Sequence, residues 1–150
     1  MKYYLAGFAD GDGCFSVNIH KKKTLRLGVN VIFLFQVYQN KNNDFILYLF
    51  KEVLKCGYVS KKGGNPLCHV YCVSNTDDIM SKVVPFFRKY QLIGKKHNDF
   101  ELFTKIVEMK KQKKHLGKEG LIEMINLAYK MNDNGKFRKI SKEEIINSIF

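Results

Sequence analysis

The sequence predicts an α+β fold whose elements run α-β-β-α-β-β-α and are followed by further helices. Three observations carry that expectation. Residues 14–20 and 25–39 alternate apolar and polar side chains, the period of strands with one buried face. Residues 45–55 and several segments beyond 76 place apolar residues at helical spacing. Finally, the chain has 150 residues, 45% hydrophobic, with 12 Phe and 8 Tyr, which suits one domain with a substantial core and excludes a disordered polymer.

The elements follow in order. Residues 3–12 are apolar or small up to Asp10, with Gly7 and Gly11 one turn apart, and read as a short helix. In CFSVNIH, residues 14–20, Phe15, Val17 and Ile19 face one way and Ser16, Asn18 and His20 the other. After a KKKT turn the alternation resumes over 25–39, a strand of roughly 50 Å at about 3.3 Å per residue. Asn40 to Asp44 is rich in capping residues, and a helix over 45–55 stops before Gly57. Residues 57–62 and 67–74 form a hairpin around Gly63-Gly64-Asn65. Helices are expected from Thr76 or Asp77 to about Tyr90, from Asn98 or Asp99 to about Lys111, and near 118–131. Ser141 with Glu144 is a capping box for a last helix over 142–149. No segment has a second copy, so the reading is one domain over 1–150.

Charge narrows the function. Lys and Arg number 26 against 14 Asp and Glu, a net charge of +12. Such a surplus points to a polyanion, nucleic acid before an anionic membrane. Positions 13–43 and 53–76 contain no carboxylate, and both stretches read as strands. A sheet without acidic groups on either face suits a surface laid against phosphates. A membrane surface fits least, because the basic residues lie on strands and not along one amphipathic helix. No run of 18 apolar residues exists, and the N-terminus makes a poor signal peptide, with two aspartates in its first twelve residues. The four cysteines lack C-x-x-C and zinc-finger spacing. Cys68 and Cys72 share one parity with Val70 and read as small buried hydrophobes of a reducing compartment.

The chemistry concentrates in Leu5-Ala6-Gly7-Phe8-Ala9-Asp10-Gly11-Asp12-Gly13. A plain helix end is one reading. An EF-hand loop fails because its required Glu would fall on Lys21, and a dinucleotide fingerprint fails because no strand precedes the glycines. A third reading uses more of the residues. Gly7 and Gly11 clear one helix face for the close approach of another backbone. Asp12 stands at the negative end of the helix dipole, where a carboxylate needs a cation beside it. Two such helices side by side would join two Asp12 groups, whose repulsion calls for a metal, most simply Mg²⁺.

Leu5 to Gly13 resembles the LAGLIDADG motif of the homing endonucleases, matching at Leu5, Ala6, Gly7, Asp10, Asp12 and Gly13. The resemblance extends to Phe35-Gln36-Val37-Tyr38-Gln39, Gly57-Tyr58-Val59, Val84-Pro85-Phe86-Phe87, Lys95-Lys96 and the basic loop from Asn132 to Lys139, nearly the whole chain. It implies the αββαββα fold with an antiparallel β-saddle in the DNA major groove and extra C-terminal helices. One motif copy implies half of a homodimer on a near-palindromic site, with Leu5, Gly7, Phe8 and Gly11 at the interface. The resemblance also implies Asp12 as metal ligand at the scissile phosphate, with the Gly11 carbonyl completing the metal shell. It implies Gln39 as positioner of the attacking water and Lys96 as stabiliser of developing charge, with Lys95 as the neighbouring alternative. Asp10 is left between touching metal and satisfying backbone groups at the helix end. The cofactor is Mg²⁺ shared between two Asp12 carboxylates.

The outward positions supply candidate readers of double-stranded DNA: Ser16, Asn18, His20, Lys22, Thr24, Arg26, Asn30, Gln36 and Tyr38, with Ser60, Lys62, His69 and Tyr71 from the second hairpin. Ile32 and Leu34 share that face and suit thymine methyls. Lys110, Lys111, Lys113, Lys114, Lys136, Arg138 and Lys139 are expected on phosphates, which position without specifying. Two alternatives use the same scaffold: an intron maturase acting on RNA, and a catalytically silent DNA-binding protein. The resemblance further implies an intron-encoded protein of a chloroplast or mitochondrion that promotes intron transfer.

Overall fold

The computed structural model describes all 150 residues. Helix α1 (Lys2–Asp12) leads without a break into strand β1 (Gly13–Lys21), and β2 (Val29–Asn40) follows a turn. Helix α2 (Phe45–Leu54) comes next, then the hairpin β3 (Tyr58–Lys62) and β4 (Asn65–Val73). Helix α3 covers residues 76–89, and α4 (Lys96–Lys111), α5 (Lys118–Ala128) and α6 (Lys142–Asn147) complete the chain. The strands form one sheet in the order β1-β2-β4-β3, with β4 antiparallel to both β2 and β3. This is the α+β order anticipated, with the extra helices at the end. No helix is long and apolar enough to cross a membrane.

The chain packs as two compact units, Met1–Phe15 with Leu34–His97 and Ser16–Phe33 with Asn98–Phe150. In the first, Phe35 is the centre of an aromatic cluster. Its ring lies 5.0 Å from Phe15, 5.2 Å from Phe87, 6.1 Å from Phe50 and 6.2 Å from Tyr71, centroid to centroid. Helix α2 enters that core because Ile46, Leu47, Phe50 and Leu54 fall on one face, all buried. Its end is sharp: Lys55 is left-handed, and Gly57 (φ +80°) lies where a Cβ would be 2.6 Å from the Cys72 carbonyl oxygen. In the second unit Phe33 meets Phe103 edge-on at 5.8 Å, and Phe100, Ile106, Val107, Leu121, Met124, Ile125 and Ile145 are buried. Fully burying each such side chain contributes about 1.5–3 kcal/mol.

Three local departures from expectation have physical causes. The second strand starts at Val29, not Leu25, and spans about 40 Å. Residues 22–28 instead fold into a turn closed by Lys22 N–H to Gly28 O and by Gly28 N–H to Leu25 O, and Gly28 has φ +76°. Helix α3 contains a π turn at Ile79–Val83. Pro85 has no N–H for the residue 81 carbonyl and its ring would crowd that carbonyl, so the wider turn lets the helix continue. Helix α5 ends at Ala128 because Asn132, Asp133 and Asn134 are left-handed (φ 51°, 58° and 57°). Half of the capping box of α6 forms, the Ser141 hydroxyl accepting from Glu144 N–H at 3.1 Å, while the Glu144 carboxylate accepts from the Lys21 ammonium at 3.0 Å.

Candidate active site and nucleic-acid interface

The C-terminal turn of α1 is held from one side. One carboxylate oxygen of Asp10 accepts from the backbone N–H groups of Ile93 (2.9 Å) and Gly94 (2.8 Å). The Lys96 ammonium donates to the carbonyls of Ala9 (3.0 Å), Asp10 (3.1 Å) and Gly11 (3.4 Å). The Ala9 carbonyl also accepts from the Gly13 N–H, and a cation at these last carbonyls complements the dipole. Lys96 is thus brought to the motif helix, half-buried, whereas Lys95 is exposed. Asp10 binds backbone groups, those of the 92–94 segment and not those of its own helix end.

The opposite side is bare. Asp12 is exposed and its carboxylate has no partner within the chain. A Cβ added at Gly7 or at Gly11 would meet nothing within 4 Å. Tyr4, Gly7, Phe8 and Gly11 form the stripe at helical spacing, with Tyr4 57% exposed and Phe8 half-buried against Phe50 at 6.3 Å. Leu5 does not belong to it. Its side chain is fully buried in the core, so it has no surface left for an interface. Gln39 lies on the same sheet face as His69, its register partner, and its Oε1 accepts from Asn40 N–H at 3.0 Å. No three His, Cys, Asp or Glu side chains come together as a metal site in the chain.

On β1 and β2 the residues that alternation assigned outward keep exposed surface. Ser16, Asn18, Asn30, Ile32, Leu34, Gln36 and Tyr38 each adjoin a buried residue, whereas His20 lies between half-buried Ile19 and exposed Lys21. Ser60 and Lys62 are exposed on β3, and the Lys62 ammonium lies 5.1 Å from the Tyr38 ring centroid. Burial first, then the thiols of Cys14, Cys72 and Cys68, push the Tyr38 hydroxyl up, so it remains a neutral donor at neutral pH. Lys22 and Thr24 are exposed in the turn before β2.

Other expected contacts are corrected. Tyr71 and His69 pair with Val37 and Gln39, so they point to the helix side of the sheet, not outward. Tyr71 is buried and its hydroxyl donates to Cys56 O at 2.9 Å; burial pushes that hydroxyl well above its usual range. His69 Nδ1 is 2.8 Å from Asp44 Oδ2. The other parity of β4 holds Cys68, Val70 and Cys72, of which Val70 and Cys72 are buried and Cys68 is half-buried. Arg138 is half-buried, its guanidinium donating to Val17 O at 2.8 Å and Ala128 O at 3.1 Å, so it anchors its loop and does not grip phosphate. Arg26, exposed, donates to Leu116 O. Lys110 gives a hydrogen bond to Val31 O, and burial lowers its pKa, which removes it from the phosphate set. Lys136 and Lys139 are exposed.

The sheet thus carries polar side chains on the parity that alternation assigned outward, and α1 ends in an exposed carboxylate. Comparison with known proteins gives the class: residues 5–107 match the LAGLIDADG endonuclease family, and the chain belongs to it. It is 32% identical over 130 residues to a probable intron-encoded endonuclease 2 of Neurospora crassa, covering 86% of this chain and 28% of that one. Its fold superposes on the homing endonuclease I-TnaI with a TM-score of 0.85 at 30% identity, covering 99% of this chain and 95% of that one. It superposes on the archaeal intron-encoded homing endonuclease I-Vdi141I, solved in complex with DNA, with a TM-score of 0.90 at 28% identity, covering 98% and 92%. The chain thus spans nearly all of these two solved structures but a far smaller part of the curated relatives it matches, 28% and 41% of the first two.

Proposed function

We infer that this chain is a site-specific DNA endonuclease of one domain, acting as a homodimer that makes a double-strand break in a long near-palindromic site. The observation that carries the reading is the division of α1 into a held side and a bare side that ends in Asp12. An exposed glycine-notched stripe on a helix already fixed from behind suits the same stripe of a second copy. Tyr4 replaces Leu5 in that interface, beside Gly7, Phe8 and Gly11.

The donors at the end of α1 fit a share of a hard cation. They are oxygens, the Asp12 carboxylate and the Gly11 carbonyl, and they are too few to hold an ion alone. A second Asp12, phosphate and water would complete the set, with Mg²⁺ the simplest occupant. Such a cation supplies activation of water for attack on phosphorus and stabilisation of the leaving oxygen. The chain does the rest. Asp12 and Gly11 hold the cation, Lys96 fixes the last carbonyls of α1 and adds positive charge near the phosphate, and Gln39 orients the attacking water. On the sheet, Ser16, Asn18, His20, Asn30, Gln36, Tyr38, Ser60 and Lys62 read base edges, while Ile32 and Leu34 meet thymine methyls. Lys136 and Lys139 hold phosphates. The names of the relatives, several of them intron-encoded endonucleases, support an intron-encoded protein, and on the same reading it acts in an organelle and promotes intron transfer.

The test is selection of cut sequences from a random duplex library with Mg²⁺. A recovered near-palindromic site, uncut in the presence of chelator, supports the reading. Specific binding without cutting would leave a DNA-binding protein, and binding only to structured RNA would favour a maturase.

A further inference from the structure

Phe137 is 79% exposed on the connector between α5 and α6, although its flanks are firmly tied. Arg138 beside it is anchored to the carbonyls of Val17 and Ala128, and its guanidinium lies 4.6 Å from the Tyr129 ring centroid. The Tyr129 hydroxyl donates to Ile140 O at 2.7 Å, and Arg138 N–H bonds Gly135 O at 3.0 Å. Four successive left-handed residues, Asn132 to Gly135, set the entry of the loop. With Arg138 turned inward and Lys136 exposed, the Phe137 ring stands in solvent between two clefts. One, of about 140 Å³, is walled by Ser16 and Asn18, and the other, of about 450 Å³, by Asn18, Ile19 and Lys139. The Lys136 ammonium is 5.7 Å from the ring centroid, and residues 134–142 contain no carboxylate.

We propose that Phe137 is a DNA-positioning residue whose ring packs against deoxyribose of the strand that Lys136 and Lys139 hold by its phosphates, alongside Ser16 and Asn18. The inference rests on the nucleic-acid reading above and adds a contact of a different chemistry. An apolar ring between two exposed lysines matches the alternation of sugar and phosphate along one strand. A second copy of this chain is a poor occupant, because it would bring another +12 chain against a basic loop. Since both lysines address the backbone, the ring lies at the backbone too, and its contact is independent of sequence.

Full-length Phe137→Ala, Phe137→Trp, Lys136→Ala and Lys139→Ala are compared with the parent chain by gel shift across a range of KCl. The probes are the duplex recovered by cleavage selection, a random-sequence duplex of equal length, and a structured RNA. Phe137→Ala should weaken binding about tenfold on both duplexes, the effect of losing part of one buried ring. It should leave the slope of log K against log salt unchanged, whereas each lysine variant, which loses one phosphate contact in each of two subunits, should flatten it by about 1.8. Phe137→Trp should bind as the parent does, and the melting temperature of Phe137→Ala should not fall. Unchanged duplex affinity overturns the proposal. So does a loss confined to the selected site, which would mean base reading, a loss seen only on RNA, or a lowered melting temperature, which would mean a structural role. If the parent chain itself binds neither duplex, the endonuclease reading falls and takes this inference with it; if the parent binds and Phe137→Ala equals it, only this inference falls.

Discussion

Asp10 and Asp12 lie two residues apart on α1 and have opposite surroundings. Asp10 is engaged by two backbone N–H groups, and Lys96 closes the carbonyls of the same turn. Asp12 is exposed without a partner, on a helix whose glycines face open space. A helix end carries unsatisfied carbonyls and a negative dipole, and a carboxylate there is unfavourable without a cation. On the held side the chain supplies the compensation itself. On the bare side it supplies none, and that side is where an outside ion and a second subunit are expected. The difference teaches that identical residue types, two residues apart on one helix, are divided into support and chemistry by what the tertiary structure places behind them.

That division can be broken experimentally. Asp12→Asn should lower cleavage by at least roughly a thousandfold, since cation stabilisation of transition-state charge contributes several kcal/mol. DNA affinity and melting temperature should stay near those of the parent chain, because the position is exposed. Cutting at the normal rate would remove the bare side from the mechanism. Gly7→Leu should convert the dimer to a monomer without destabilising the chain, because nothing within the chain meets the new side chain and glycine is the poorer helix former. Sedimentation that shows an unaltered dimer would move the interface elsewhere.

Two smaller effects sharpen the held side. Lys96→Met keeps the packing of the stem but leaves three carbonyls without their cation, and should cost about 1–2 kcal/mol in a urea titration. Lys96→Arg should recover part of that loss. Asp10→Ala leaves the Ile93 and Gly94 N–H groups to water and should cost about 1 kcal/mol, with Asp10→Asn recovering part of it. If Asp10→Ala instead abolishes cleavage at full stability, Asp10 and not only Asp12 belongs with the metal.

The two hairpins show where sequence reading holds and where it stops. In β1 and β2 the polar residues Ser16, Asn18, Asn30 and Gln36 keep to one parity, although Ile32 and Leu34 share it, so the buried set could be assigned to Phe15, Val17, Phe33, Phe35 and Val37. In β4 the run Leu67-Cys68-His69-Val70-Tyr71-Cys72-Val73 has apolar side chains on both parities. Residues of both parities are buried from Val70 to Val73, and only pairing with β2, Val37 opposite Tyr71, decides which of them join the aromatic core. Arg138 and Lys110 mislead for a related reason. A cation in a basic run looks solvated until a distant backbone carbonyl is brought to it. Phe137 gave no signal at all, because an aromatic residue in a sequence does not declare its exposure.

The sequence by itself determined the α+β order, the faces of β1 and β2, the glycine-notched helix and its family motif, because these rest on local periodicity and on neighbours within one turn. Only the tertiary structure decided which aspartate is engaged, which lysine caps α1 and which way β4 turns. Those outcomes depend on hydrogen bonds between residues up to about ninety positions apart, as between Lys96 and Ala9, and no local pattern encodes such a partner.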